Sequence, residues 1–205
     1  MKPQEIESLS FRIIDQEAPP HDFDPAHWEI VRRMIHTSAD FEYMETVRFH
    51  PLAVSRGIEV IQGGRTIITD TEMARAGIRK EAVAARGGSV TCLIGQPDVR
   101  IYAEKAGVTR AKAAVDLALP LMTGGIYVVG NAPTALLRLM ELIREGQAQP
   151  ALVIGLPVGF VNAAESKAEL LGMDVPFITN VGRKGGSNIA ASVVNALLIL
   201  ADRTP

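Results

Sequence analysis

In the stretch Ile126-Tyr127-Val128-Val129-Gly130-Asn131-Ala132-Pro133-Thr134-Ala135-Leu136-Leu137-Arg138-Leu139-Met140-Glu141-Leu142-Ile143-Arg144-Glu145-Gly146, four apolar residues meet a glycine turn and then a helical stripe. The unbroken run Ile126–Val129 suits a strand buried on both faces. Leu136, Leu139, Met140 and Ile143 fall at i, i+3, i+4 and i+7, one face of a helix over Pro133–Glu145, and Gly146 stops it. The same rhythm recurs on both sides. Strands are expected at Thr66–Thr69, Val90–Ile94, Ala151–Ile154 and Pro176–Thr179. Helices are expected at Val99–Ala106, Arg110–Leu119, Ala163–Leu171 and Asn188–Ala201. Strand–helix alternation implies a parallel sheet with right-handed crossovers. The expectation is an α/β fold: a single doubly wound domain over residues 1–205 with a five-stranded, mainly parallel sheet.

Upstream of the rhythm, residues 1–23 read as an N-terminal arm with a short strand or turn around Ser10-Phe11-Arg12-Ile13-Ile14. Asp24-Pro25 is a strong helix start, Asp as N-cap and Pro at the first helical position. That helix carries Ile30, Val31, Met34 and Ile35 on one face and should end near His36-Thr37-Ser38. Pro51 opens another helix toward Ile61, stopped by Gly63-Gly64.

Composition narrows the function classes. The 205 residues are 47% hydrophobic and 21% charged, an ordinary globular balance. The formal charge of -2 and pI near 6.1 argue against a general nucleic-acid partner. One cysteine, Cys92, excludes an intrachain disulfide and a cysteine-based zinc cage, and fits a reducing cytoplasm. The acidic start lacks an apolar signal core. Ile189–Ala201, interrupted by Ser192 and Asn195, is too short for a bilayer and reads as a buried helix, so no membrane partner is expected.

Ligands of open parallel sheets bind beyond the carboxyl ends of the strands. Four of the five post-strand segments here bear glycine, and such turns lead into helix N-termini with free N–H groups, a rim that suits a polyanion. Gly182-Arg183-Lys184-Gly185-Gly186-Ser187-Asn188 is the most suggestive: glycines let amides approach, and Arg183 and Lys184 add charge. A solvated turn before a helix explains it equally well. Gly130-Asn131-Ala132-Pro133-Thr134 is either a backbone cradle or an efficient strand-to-helix turn, and spacing favours the turn. There is no P-loop and no G-x-G-x-x-G after the first strand, which weighs against an external methyl donor or dinucleotide. None of the four histidines shows metal-ligand spacing, so no metal site is expected. His36 ends its helix just outside the apolar stripe and stacks by spacing over Arg32 and Arg33, where an acid–base group could stand; a histidine merely finishing a helix is the commoner case. Glu165-Ser166-Lys167 reads as a charged helix face, and Cys92 as a packed strand residue.

Together several segments resemble the precorrin-8X methylmutase family. They are Ser10-Phe11, Arg33-Met34-Ile35-His36-Thr37 with Ala39-Asp40-Phe41, Asp70-Thr71-Glu72-Met73, Gly77-Ile78 and Gly107-Val108-Thr109-Arg110 with Ala113-Ala114-Val115-Asp116. Further on come Gly130-Asn131-Ala132-Pro133-Thr134-Ala135-Leu136, Gly155-Leu156-Pro157-Val158-Gly159-Phe160-Val161 with Ala163-Ala164-Glu165-Ser166-Lys167, and Gly182 to Asn188. The resemblance implies an isomerase of cobalamin biosynthesis that moves a methyl group from ring carbon 11 to ring carbon 12 of one tetrapyrrole, with no added cofactor. It implies His36 as proton donor or acceptor, and Ser10 and Arg33 as substrate contacts. Thr109, Arg110, Asn131, Arg183 and Lys184 follow from motif position and charge. It also implies a homodimer. The segments around His36 and Arg183 look more like the branch acting on the cobalt-bearing ring, cobalt being part of the substrate. The alternative is a non-catalytic corrin carrier, which would need the anionic rim but not His36.

Overall fold

The computed structural model describes residues 2–204. The elements are α1 (Pro3–Glu17), α2 (Pro25–Ser38), α3 (Tyr43–Thr46), β1 (Val47–Phe49), α4 (Ala53–Gln62), β2 (Thr66–Thr69), α5 (Glu72–Gly77), α6 (Lys80–Ala84), β3 (Ser89–Cys92), α7 (Pro97–Ala106), α8 (Arg110–Met122), β4 (Ile126–Val129), α9 (Pro133–Arg144), β5 (Leu152–Gly155), α10 (Ala163–Leu170), β6 (Phe177–Asn180) and α11 (Ser187–Arg203). The sheet order is β1-β6-β5-β4-β2-β3. Strands β2 to β6 are mutually parallel, and β1 runs antiparallel to β6 with Val47 opposite Asn180.

Two expectations are corrected here. The sheet of the described residues has six strands and is mixed, not five. The extra strand, β1, is three residues long and contains Arg48, so it offers no apolar run to read. The segment around Ser10–Ile14 is the middle of helix α1, neither strand nor turn. The β-branched pair Ile13-Ile14 suggests extended chain, but tertiary packing overrides that preference. Ile14 is buried, and Asp15 accepts from Trp28 Nε1 and Arg32 Nη1 at 3.0 Å each on α2.

The strands alternate cleanly between two cores. Ile67, Ile126, Val128, Leu152, Ile154 and Ile178 face the cluster built with α2, α4 and α11. Ile68, Tyr127, Val129, Val153 and Phe177 face the one built with α8, α9 and α10. Burial on both faces is why these strands read as continuous apolar runs. Helix α11 has twelve buried residues and packs along α2. The two helices run antiparallel: Arg203 Nη1 meets Glu29 Oε2 at 3.0 Å near one end, and Lys184 Nζ meets Asp40 Oδ2 at 2.5 Å near the other.

The topological switch lies between β2 and β4, where the chain turns to opposite sides of the sheet. A protein carboxylate closes it. Asp70, 3% exposed at the end of β2, accepts from the backbone N–H of Gly130 at 2.9 Å and of Asn131 and Ala132 at 2.8 Å each. Burial pushes the Asp70 carboxyl above its ordinary value, against the pull of these three donors. Beside it, Thr71 and Ser187 share a 2.8 Å hydrogen bond that fixes the start of α11.

Asp24 caps α2, accepting from Ala26 N and His27 N at 2.9 Å each. The His27 N–H is the main cause of the lowered Asp24 pKa, so the cap's stabilisation is present above about pH 4 and is lost as pH falls through the lower folded value. Asp24→Ala is expected to cost about 1 kcal/mol at pH 7. That difference should shrink at pH 3, as urea unfolding at the two pH values would register. Asp70→Ala strands three N–H groups and should cost about 3 kcal/mol or more in the same assay.

Candidate functional site

Helix α2 ends where its sequence stops supplying helical partners. Thr37 Oγ1 and Ser38 Oγ donate to the carbonyls of Arg33 and Met34 at 2.9 and 2.8 Å, and Ala39 turns left-handed at φ 54°. This termination leaves His36 exposed at the mouth of a pocket of about 360 Å³. Ser10, Glu17, Ala39 and Phe41 line the same pocket. The Phe11 ring lies against the His36 imidazole, centroids 4.8 Å apart and planes tilted by 31°. On Phe11 also rest the guanidinium carbons of Arg32 and Arg33, at 4.6 and 4.9 Å from its centroid.

The expected stack of His36 over the two arginines is therefore mediated by Phe11. Both cations are already answered by carboxylates. Arg32 pairs with Asp15 and Glu29 at 3.0 and 2.9 Å, and Arg33 donates to Glu7 Oε1 at 3.2 and 3.3 Å. Arg33 Nε is nonetheless buried without a partner among the described residues. Ser10 Oγ donates to the Ile6 carbonyl at 2.9 Å while facing the pocket.

From the end of α2 the site continues to the turn before α11. Lys184 Nζ pairs with Asp40 at 2.5 Å and Glu42 at 2.7 Å. These bonds raise the Lys184 pKa, and the Lys184 bond leads the causes that lower Asp40. Lys184 thus ties the turn to α2. Arg183 is exposed, its guanidinium carbon 5.4 Å from the Phe160 ring. Phe160 and Val161 are 84% and 77% exposed on the loop after β5, an apolar edge beside the charge.

The remaining candidates lie on the turns that lead into α8 and α9. Thr109 caps α8, accepting from Lys112 N at 3.2 Å, and its hydroxyl donates to Thr134 Oγ1 at 3.2 Å at the start of α9. Arg110 is exposed. The Asn131 side chain is exposed too, but its N–H goes to Asp70. As a backbone cradle for an outside anion, the Gly130–Ala132 turn is filled from within. So Ser10 and His36 share one pocket, and Phe11 links His36 to Arg33, which itself lines a second groove with Arg32, Arg79 and Arg203. Asp40 links the end of α2 to Lys184. Thr109 meets the start of α9, and Asn131 follows Gly130, which packs on Ser187 at the start of α11.

Sequence reasoning missed two functional-looking residues. Asp70 stands in the sequence only as part of a motif, and nothing local announces a partner sixty positions away. Glu165-Ser166-Lys167 is not a charged face: Ser166 and Lys167 are fully buried. The signal was periodic, because Ala163, Lys167 and Leu170 fall at i, i+4 and i+7, on the face of α10 that packs inward. Cys92 is buried in β3, and burial pushes its thiol up, which makes it a packing residue.

Comparison with known proteins bears on this geometry. The family model for precorrin-8X methylmutase matches residues 5–200. Cobalt-precorrin-8 methylmutase of Priestia megaterium is 48% identical over 202 residues, 98% of this chain and 90% of that protein. Precorrin-8X methylmutase of Sinorhizobium is 37% identical over 194 residues, 94% of this chain and 92% of that protein. The crystal structure of precorrin-8X methyl mutase from Thermus thermophilus superposes with a TM-score of 0.91 at 48% identity, covering 98% of this chain and 97% of that one. With a matching model across nearly its whole length and the same fold at that identity, this chain belongs to the precorrin-8X methylmutase family.

Proposed function

We propose that this chain catalyses the methylmutase step of cobalamin biosynthesis, moving a methyl group from ring carbon 11 to ring carbon 12, and that His36 exchanges the proton that step requires. The observation that carries the reading is the exposed His36 imidazole, braced on one side by Phe11 and open on the other to a pocket shared with Ser10. A group that must exchange a proton with a ring nitrogen has to be reachable and oriented, and the exposed imidazole held by Phe11 is both. Protonation of the ring selects the tautomer in which the shift restores conjugation. Positioned acid–base help is typically worth about 10²–10⁴-fold, and the rest comes from holding the ring in that tautomer.

The substrate is a tetrapyrrole with peripheral carboxylates; Ser10, in the pocket with His36, and the exposed Arg183 are the contacts read here, with Arg33, which Glu7 now holds, as a third. Lys184 acts by fixing the turn, since Asp40 and Glu42 already hold it. Thr109, Arg110 and the Asn131 side chain would meet a carboxylate on the far side of the ring. Cobalt-precorrin-8 is favoured as the substrate by the likeness of the segments around His36 and Arg183 to the cobalt branch; at 48% identity a relative named for the cobalt-bearing ring and the Thermus thermophilus structure named for precorrin-8X stand level. The homodimer and the cytoplasmic setting rest on the family resemblance. Among the described residues no helix is long and apolar enough to cross a membrane.

His36→Ala and His36→Asn should each lower turnover about 10²-fold or more. Melting temperature and product affinity should stay near native, because the side chain is exposed and no part of the core. Visible spectra report turnover, since the rearrangement extends conjugation. Near-native turnover in either variant would remove the proton-transfer role, and lost folding would make His36 structural.

Arg183→Ala should weaken product binding about tenfold, the size of one charge-assisted contact. The difference should fall at high salt, because Arg183 is exposed. Native affinity in alanine variants of Arg33, Arg110, Arg183 and Lys184 alike would show the site to lie elsewhere.

A further inference from the structure

Lys167 is 0% exposed, and burial alone accounts for a pKa pushed down to about 8, with no carboxylate among the described residues offsetting it. Its Nζ donates to Asn180 Oδ1 at 3.0 Å and to the Lys184 carbonyl at 2.5 Å. Asn180 Nδ2 donates to the same carbonyl at 3.0 Å and to that of Val181 at 3.3 Å. The Lys184 carbonyl is thus drawn inward by two donors while its ammonium reaches outward to Asp40 and Glu42.

A buried cation facing only neutral acceptors is an expensive way to fill space, and a leucine or methionine would pack there without that cost. The turn above it explains the expense. Gly185 and Gly186 hold φ of 156° and 131°, a region where the chain has little preference of its own. Outside the lysine–asparagine pair, the turn's inner bonds are Gly159 N–H to the Arg183 carbonyl at 3.2 Å and Gly186 N–H to the Leu156 carbonyl at 2.9 Å.

We propose that Lys167 is a positioning residue that sets the Gly182–Gly186 turn from beneath and so aims Arg183 at a peripheral carboxylate of the ring. The proposal rests on the reading of Arg183 as a substrate contact. Lys167 touches no substrate. It acts through the Lys184 carbonyl, one residue from Arg183, and it adds a buried positive charge under the anion-binding turn that salt screens poorly.

The test is a double-mutant cycle on the full-length protein, with cobyrinate affinity read by spectral titration and melting temperature recorded for every variant. Lys167→Met keeps an unbranched side chain one atom shorter and removes its donors. It should weaken cobyrinate binding about tenfold, as Arg183→Ala does, and the double variant should be no weaker than Arg183→Ala within about twofold. In turnover the loss should fall on KM and spare kcat. Combined with Arg33→Ala, the same substitution should be additive. If Lys167→Met does not fold, Asn180→Ala, which withdraws the second donor from the Lys184 carbonyl, takes its place with the same pattern expected. Native affinity in the variant, or additivity with Arg183→Ala, would overturn the positioning role while leaving the site reading intact. Native affinity in Arg183→Ala would overturn the reading of Arg183 as a substrate contact and the positioning role with it.

Discussion

The carboxylate of Asp70 fastens the ends of β2 and β4 together from inside the protein, and the placement of the site follows from it. In a doubly wound sheet the switch point is the natural place for an anion, because successive N–H groups open a helix there. Here Gly130, Asn131 and Ala132 present those groups, and a side chain of the same molecule takes all three. Those three donors are taken from within the protein. Gly130 in turn lets α11 approach: a Cβ there would stand 2.6 Å from Ser187 Cα. Closing the switch point and seating the start of α11 are therefore one structural act. The exposed positive charges of Arg183 and Lys184 stand instead on the turn that precedes α11, which Lys184 ties to the end of α2.

That placement explains why the outer helices carry so much of the chemistry. Helix α2 lies on α11, not at a strand end, yet its last turn reaches the same rim because the two helices run antiparallel and are tied near both ends. The Asp24 cap and the left-handed Ala39 fix where α2 starts and stops, and so fix the position of His36. Helix α1 contributes by lying across α2. Only as a helix does it bring Ser10 to the pocket and Phe11 under the imidazole.

The legible parts of the sequence are those governed by local pattern. Strands β2, β4, β5 and β6 were found because burial on both faces leaves an apolar run, and α2 and α9 because a proline start and an apolar stripe agree. What failed depended on partners distant in sequence. Strand β1 exists only as an edge on β6, and α1 is helical where it has α2 to lie on. His36, Ser10 and Arg33 emerged from family motifs; spacing alone gave only a histidine at a helix end. The Asp70 closure and the burial of Lys167 are contacts between elements. The first leaves no local trace, and the second leaves one only in the helical phase of α10.

On the proposed reading, a rim of fixed charges and an exposed imidazole match what an intramolecular shift demands. Both the carbon that loses the methyl group and the carbon that gains it belong to the substrate, so no second reactant has to be brought in and aligned. Differential stabilisation can then be confined to the protonation state of the ring, where only an interaction stronger in the transition state raises the rate. The carboxylates at the periphery do not change during the shift, so contacts to them bind substrate and product alike and serve to hold register. This assigns opposite physical requirements to the two halves of the site. The turn carrying Arg183 must be stiff, which suits bonds made from beneath by Lys167 and Asn180. In the role proposed for it, His36 exchanges a proton with an outside atom, which suits an exposed imidazole braced by Phe11 at the pocket it shares with Ser10.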